Sequence, residues 1–536
     1  MSTDLVVLGL DGLDPGLVRD WERDLPTIRS LVDDGGFGRV RSADPPLSSP
    51  AWPWIYTGKQ GGKHGCFGFT KRAPDSYERE PINHTDVRAE ALWEALDDAG
   101  VACGVANVPF TYPPTELEHG YVVSGWPSPN HATLSEPPDL VDRVEERTGE
   151  RYRVTPFPVG PELRMADDEE VYDHLVDGLW HHERAFEALA SLRETDVFFP
   201  VFMATDVAGH YLGWNRELLH DFYVEADRAV GELLDHVGGD PDVVLLSDHG
   251  HGARSEWNFH VNEWLRERGY LSLRGGDTGE DRSPLRRIGL TRENAVRVKN
   301  ALGIDDPRTL LPQRVFDLLE STIPPADAAG DGFQPSRIDW SETVAYAPGQ
   351  NVLVLNTEDH PSGTVSAAEA PALRREIAAE LRAVDHPEDD GPLVSDLERK
   401  EEVFEGPFEA DAPDLVFLGD GMHVTVQAGF TGGDVFVRDR WSEHRPHGTL
   451  VTAGDAFADA DEFRDREVVD LFPLVLGLLD VPIPENVDGE LPAERVASSL
   501  SPTYRESRDE WVETDTYSDA EQAEIEEQLQ GLGYLE

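Results

Sequence analysis

The run Val243-Val244-Leu245-Leu246 is apolar at every position and passes without a break into Ser247-Asp248-His249-Gly250. A strand with one wet face alternates apolar and polar residues. An unbroken apolar run instead fits a strand covered on both faces, as in a parallel sheet sandwiched by helices. Similar runs occur at Leu5–Leu10, Val101–Ala106, Val197–Ala204, Val352–Leu355, Leu415–Leu418 and Thr449–Ala453. Between several of them, at Ala89–Ala99, Glu169–Leu192, Arg216–Val237, Ala367–Val384 and Val468–Leu479, apolar residues recur three to four apart, the helical period. Strands alternating with helices predict an α/β fold with a mostly parallel central sheet and helices on both faces. Open sheets of this kind carry their sites at the carboxyl ends of the strands, which is where these runs turn ionisable.

From about Gly275 to Ser336 the chain turns polar and rich in Arg, Asp, Gly and Pro, with short helical pieces around Glu293–Leu302 and Pro312–Ser321. This predicts a lid insertion over 275–336, a catalytic core formed by 1–274 and 337–495, and a C-terminal extension over 496–536. The extension ends in a polar helix, Asp519–Leu535, with Ile525, Leu529, Leu532 and Leu535 on one stripe, expected to pack on the core or on a partner subunit. No repeat of 20–50 residues is visible, so one composite domain is the economical description. No stretch approaches the ~20 apolar residues of a membrane span, and Met1-Ser2-Thr3-Asp4 has no basic leader character. A soluble, cytoplasmic protein is expected, with Cys66 and Cys103 as buried thiols in a reducing compartment.

Acidic residues number 105 against 46 basic ones, a formal net charge of -59, and only five of the basic residues are lysine. The acids are scattered through segments with ordinary apolar periodicity, so the chain is acidic and folded. The skew resembles that of haloarchaeal proteins. A surface this negative repels nucleic-acid backbones and anionic lipid, and neither nucleic acid nor membrane is an expected partner.

Five segments carry the chemistry. Asp11 follows the strand Val6–Leu10, where an Asp-Gly pair also suits a plain turn. Ser48 and Ser49 precede Pro50 at a helix start, ahead of the glycine-rich Thr57–Gly65 that holds Lys59 and Lys63. A serine there can cap the helix or become a nucleophile if a metal lowers its hydroxyl pKa, and the two serines are not separated by this argument. Phe202–Ala204 reads as a strand end running into Asp206-Val207-Ala208-Gly209-His210, which places a carboxylate and an imidazole four apart. Asp248 and His249 follow Leu246, and His444 reads as a loop residue just before another strand. Three aspartates and three histidines at strand ends are what two cations with about three protein ligands each require.

This set, in this order, resembles the alkaline phosphatase superfamily, and within it the type I phosphodiesterase and nucleotide pyrophosphatase branch. Asn107–Pro114, Val123–Trp126, Asn262–Leu265 with Arg268–Leu271, and Val481–Gly489 resemble further segments of that branch. The resemblance implies an alkaline phosphatase-like fold and a metal-dependent phosphoesterase with two divalent ions, zinc or manganese. It implies one ion on Asp206, His210 and His444, and the other on Asp11, Asp248, His249 and the oxygen of Ser48. Ser48 aligns with the branch's nucleophile and would carry a covalent seryl intermediate, Asn107 and Lys59 would contact the phosphoryl oxygens, and His64, His251 and His447 would be supporting residues. The implied substrate is a small phosphorylated molecule, such as a nucleotide or nucleotide sugar. A phosphomonoesterase, a phosphoglycerate mutase-like phosphotransferase and a non-catalytic metal-stabilised binding protein are the competing readings. Sulfate ester hydrolysis is disfavoured, because Ser48-Ser49-Pro50-Ala51-Trp52 lacks the arginine that the sulfatase motif requires.

Dense carboxylates keep a surface hydrated where salt screens them and repel one another where it does not. The melting temperature is therefore expected to rise with potassium chloride concentration; a flat profile would separate the composition from any salt adaptation.

Overall fold

In the computed structural model, residues 3–129, 132–159, 161–275, 333–388, 391–457, 463–492, 501–508 and 517–532 are described. The helical pieces expected inside the 275–336 lid lie outside them. Among the described residues the main sheet has nine strands: β1 (Leu5–Leu10), β2 (Gly35–Arg41), β3 (Cys103–Val108), β4 (Tyr121–Ser124), β5 (Ser135–Glu136), β6 (Val197–Phe202), β7 (Asp242–Leu246), β8 (His447–Ala453) and β9 (Phe463–Glu467). They lie in the order β9-β2-β8-β7-β1-β6-β3-β4-β5. The block β7-β1-β6-β3-β4 is parallel throughout, and β8 runs antiparallel to both of its neighbours. Every residue of β1, β3, β4 and β6 is buried, as their apolar runs require. The sequence Gly35-Gly36-Phe37-Gly38-Arg39 hides β2, because glycine carries no side chain to show a strand period.

Flanking helices include α1 (Ser48–Thr57), α2 (Asp168–Leu192), α3 (Ala204–Leu212), α4 (Arg216–Val237) and α5 (Leu471–Leu478). The Asp167 carboxylate caps α2 by accepting from the Glu170 N–H, and three acidic residues follow in the first turn, where the helix dipole favours them. The Asn215 side chain caps α4 in the same way, accepting from Leu218.

After β7 the chain leaves the main sheet along the strand Gly250–His260 and returns to β8 along Phe436–Arg445. These two pair antiparallel, from Gly250 opposite Arg445 to Phe259 opposite Phe436. What hangs on this stalk has its own apolar cluster, with Phe259, Trp264, Leu353, Ile377, Leu381 and Phe417 at its centre. Its four-stranded sheet includes Val352–Leu355 and Leu415–Gly419. Those two apolar runs therefore belong to a second sheet, because local apolarity marks a buried strand without saying which sheet buries it.

The C-terminal helix, Asp519–Leu532, packs on its own chain: Ile525 and Leu529 are buried in the main core, and Gln528 Nε2 donates to the Ser128 carbonyl at 3.0 Å. The side chains of Leu532 and Leu535 lie outside the described residues. Cys66 and Cys103 are buried and unbridged. No helix among the described residues is long and apolar enough to cross a membrane.

On α2, Glu183 is buried one turn before Glu187, and its Oε1 has no hydrogen-bond partner. Burial first, and then the Glu187 charge, push its carboxyl up to about 8. A carboxyl raised in the folded state leaves stability intact below its unfolded pKa and costs stability as pH rises through its folded one. Glu183→Gln is thus expected to stabilise the protein by at least about 1 kcal/mol at pH 9 and by nothing measurable at pH 4; equal melting shifts at both pH values would contradict this.

Candidate active site

Three neighbouring strands, β7, β1 and β6, end level with one another: Gly9 pairs with Leu246, and Leu10 with Phe202. Each delivers a buried carboxylate just beyond its end, Asp248 after β7, Asp11 after β1 and Asp206 after β6. Adjacent strands are ~4.8 Å apart, so three such carboxylates must face one another. Gly12, at φ +70°, makes the turn after Asp11, and a Cβ there would stand 2.9 Å from Asp206 Cα. Its N–H donates to Asp248 Oδ1 at 3.2 Å.

Ser48 is the first residue of α1, and no side chain caps this helix, whose cap position is Leu47. Capping thus falls away as a role for either serine. Ser48 Oγ lies 3.1 Å from His249 Nε2 and donates to Asp11 Oδ1 at 3.5 Å. Ser49 Oγ is buried with no hydrogen-bond partner. Trp52, one turn beyond Ser48 on the same helix face, donates its indole N–H to Asp11 Oδ2 at 2.8 Å.

Asp206 and His210 sit on α3, which begins two residues earlier than a strand-and-loop reading allows. Four apart on a helix, they share a face, with His210 Nε2 3.6 Å from Asp206 Oδ1. His444, expected in a loop, lies on the strand Phe436–Arg445 directly opposite His251. Its Nε2 is 3.3 Å from Asp206 Oδ1 and 3.0 Å from His210 Nε2. His251 also reaches the cluster, its Nε2 3.6 Å from Asp206 Oδ1. Gly209 makes this approach possible, since a Cβ there would lie 2.3 Å from His251 Cγ.

The imidazole tautomers follow from their outer contacts. His210 Nδ1 faces the Ser442 carbonyl at 2.8 Å, His444 Nδ1 the Pro46 carbonyl at 2.9 Å, and His249 Nδ1 the Gly250 carbonyl at 3.0 Å. A neutral ring donating through Nδ1 keeps a lone pair on Nε2. With all three rings neutral, these Nε2 lone pairs point at carboxylates, an arrangement that suits a cation between them. His251 is reversed: the Gly252 N–H donates to its Nδ1 at 2.8 Å, which leaves the ring proton on Nε2, towards Asp206. Two overlapping groups could each hold an ion, Asp206 with His210, His251 and His444, and Asp11 with Asp206 and His249. Asp248 Oδ2 stands 3.2 Å from His249 Nε2.

Without an ion the cluster holds protons. Burial raises Asp11 well above the ordinary carboxyl range, and the charges of Asp248 and Asp206 add to it. Burial, then Asp206, pushes Asp248 up to about 7. Burial also lifts Asp206, but His210 and His444 outweigh it and hold Asp206 well below its usual value. Burial lowers His210 to about 4 and drives His249 and His251 well below the usual imidazole range. His444 alone is raised, to about 9, because Asp206 overrides its burial. The donor set and its surplus of carboxylates fit a divalent cation.

Lys59 is not brought to this cluster. Lys59 follows the far end of α1, about 15 Å along the helix from Ser48 at 1.5 Å per residue. It sits instead beside His64, which burial and then Lys59 hold at about 3. Asn107, at φ +60°, donates Nδ2 to the Val201 carbonyl of β6 at 2.9 Å. Trp52 was passed over in the sequence, and His251, expected only as a supporting residue, reaches the cluster itself. Their signals were spacing: Trp52 is four residues from Ser48 in a helix, and His251 is two from His249 at the start of a strand, where alternate residues share a face.

A large central sheet flanked by helices carries a buried Asp/His cluster and a serine at its strand ends, and the family match makes the protein a hydrolase acting on phosphoric ester bonds. Residues 5–316, more than half of the chain, match the model of the type I phosphodiesterase / nucleotide pyrophosphatase family, and the protein belongs to it. Solved structures with the same fold include phosphonoacetate hydrolase from Sinorhizobium meliloti 1021 in complex with phosphonoacetate, at 17% identity and TM-score 0.53 over 88% of this chain and 94% of that one. Human ectonucleotide pyrophosphatase/phosphodiesterase 5 is similar at 13% identity and TM-score 0.51, over 93% and 100% of the two chains. Its murine counterpart, as an inactive threonine-to-alanine variant in complex with AMP, matches at 13% identity and TM-score 0.51, over 92% and 100%. No curated protein matches the sequence.

Gly209→Ala drives a methyl group into the His251 ring and should displace it from Asp206. Affinity for a divalent ion is expected to fall by at least about tenfold, measured by equilibrium dialysis. Undiminished metal binding in a folded variant would show that the close approach at Gly209 does not serve the cluster.

Proposed function

We propose that the protein is a phosphodiesterase of the nucleotide pyrophosphatase type, with Ser48 as nucleophile and two divalent ions, zinc or manganese. The observation that carries this reading is Ser48 Oγ against the cluster, within 3.5 Å of both His249 Nε2 and Asp11 Oδ1. Asp206, His210 and His444 would hold one ion, and Asp11, Asp248 and His249 the other, with His251 beside Asp206 as a supporting residue. When bound, the ions would supply Lewis acidity and offset the charge of the phosphoryl oxygens. Trp52 holds Asp11 in place through Oδ2, which leaves Oδ1 towards Ser48. Ser48 Oγ attacks phosphorus in line; its bond to phosphorus forms as the ester P–O bond breaks, and the alcohol departs with a proton. Water then attacks the phosphoseryl diester from the opposite side, releases the phosphomonoester, and returns a proton to Ser48 Oγ. A small substrate is favoured, a nucleotide or nucleotide sugar, as the relatives' ligands phosphonoacetate and AMP are small. The acid-rich, lysine-poor composition supports a halophilic setting, and the unbridged thiols Cys66 and Cys103 support a reducing, cytoplasmic one.

With metal restored in high salt, wild type is expected to hydrolyse bis-p-nitrophenyl phosphate. Ser48→Ala should lose at least about 10³-fold in kcat, and Ser49→Ala should stay within about twofold. An inactive, metal-loaded wild type would sink the phosphodiesterase reading, and an active Ser48→Ala would move the nucleophile elsewhere.

A further inference from the structure

The loop that leads into Ser48 also forms a wall of a second feature. Pro45 and Leu47 line a cavity of about 560 Å3 between the main sheet's loops and the unit carried on the stalk. Its size is that of a small-molecule site. Its charge is anomalous: in a chain with a net charge of -59, six cations line this one cavity, Lys71, Arg72, Arg79, Arg88, Arg374 and Lys400. Four carboxylates accompany them, Asp86, Asp359, Asp411 and Asp414. Two of these are engaged within the wall, Asp86 with Lys71 at 2.5 Å and Asp414 with Arg374 at 2.6 Å.

Arg72 and Arg79 stand out from the rest. They are direct cross-strand partners in the hairpin Thr70–Arg72/Arg79–Pro81. Like charges placed opposite each other destabilise a hairpin, and among the described residues no carboxylate pairs with either. Their hydrogen bonds go to neutral oxygens of the same hairpin, Arg79 to Thr70 Oγ1 and O, and Arg72 to the Ser76 carbonyl. The field they create is felt nearby: burial and then Arg72 hold His360, also in the wall, at about 4. Two cross-strand arginines without a carboxylate partner, in the wall of a concave site that adjoins the nucleophile's loop, suit a multiply charged oxyanion.

We infer that this cavity binds a second anionic group, a phosphate, on the same substrate molecule whose phosphodiester lies over Ser48. The inference rests on the phosphodiesterase reading and narrows it, from any small phosphodiester to one that carries a further phosphate. Arg72 and Arg79 are specificity-determining residues in this scheme; they take no part in bond cleavage.

The test compares the p-nitrophenyl 5′-ester of thymidylate with and without a 3′-phosphate, at one fixed salt concentration. Wild type is expected to prefer the phosphorylated ester by at least about tenfold in kcat/KM, chiefly through KM, and Arg72→Gln/Arg79→Gln should lose that preference while handling the plain ester unchanged. Arg79→Lys, which keeps the charge, should retain most of it. No preference in wild type, or a KM that rises equally for both esters in the double variant, overturns the proposal. If wild type cleaves neither ester, the phosphodiesterase reading fails on its own, and calorimetric titration with tripolyphosphate decides the cavity. At least about tenfold weaker binding by the double variant then supports the anion site, and equal binding overturns it. Weaker tripolyphosphate binding with an unchanged ester preference would assign the cavity to a free anion and overturn its role in the substrate.

Discussion

Mutual repulsion among Asp11, Asp206 and Asp248 is the constraint on which the rest of this structure turns. They are buried side by side at the ends of three adjacent strands, where no solvent screens them. A buried carboxylate tolerates such neighbours only by taking a proton or by sharing a cation. Both outcomes are visible in the surroundings. Asp11 and Asp248 are pushed towards the protonated form, while Asp206 stays ionised against His444. The backbone carbonyls that orient His210, His249 and His444 aim their Nε2 atoms inwards, where neutral rings would receive a cation.

Holding that repulsion in place takes much of the fold. Level strand ends come from the register of β7, β1 and β6. Gly12 and Gly209 admit backbone and ring at separations that no side chain would allow. Around the rim, Ser247 Oγ accepts from Leu13 N–H, and Arg445 pairs with Asp14, so that the loop after β1 is tied to the loop after β7 and to the returning stalk strand. The stalk therefore does two jobs: it delivers His251 and His444 opposite each other, and it carries the second apolar unit whose surface closes the basic cavity.

Much of the catalytic cluster could be read from local pattern, because Asp11, Asp248 and His249 each directly follow an apolar run and Asp206 with His210 has helical spacing. His444 offered no such signal: it lies in the polar strand Phe436–Arg445, and only pairing with another polar strand buries it. The same limit explains why Gly250–His260 carries no strand signal and why the runs Val352–Leu355 and Leu415–Leu418 give no sign of the second sheet they join. Lys59 fell away from the cluster for a complementary reason. Closeness in sequence to Ser48 does not specify the direction in which a helix carries the chain.

Short-range chemistry in the chain thus set the fold class, the strand-end carboxylates and the acidic, lysine-poor surface, since each depends on apolar runs, helical spacing or composition alone. The choice of Ser48 over Ser49 as the hydroxyl facing the cluster, the entry of His251, and the meeting of Arg72 and Arg79 with the loop before Ser48 were decided in three dimensions. They depend on which residues from distant segments share a few ångströms of space, and neither spacing nor composition encodes that distance.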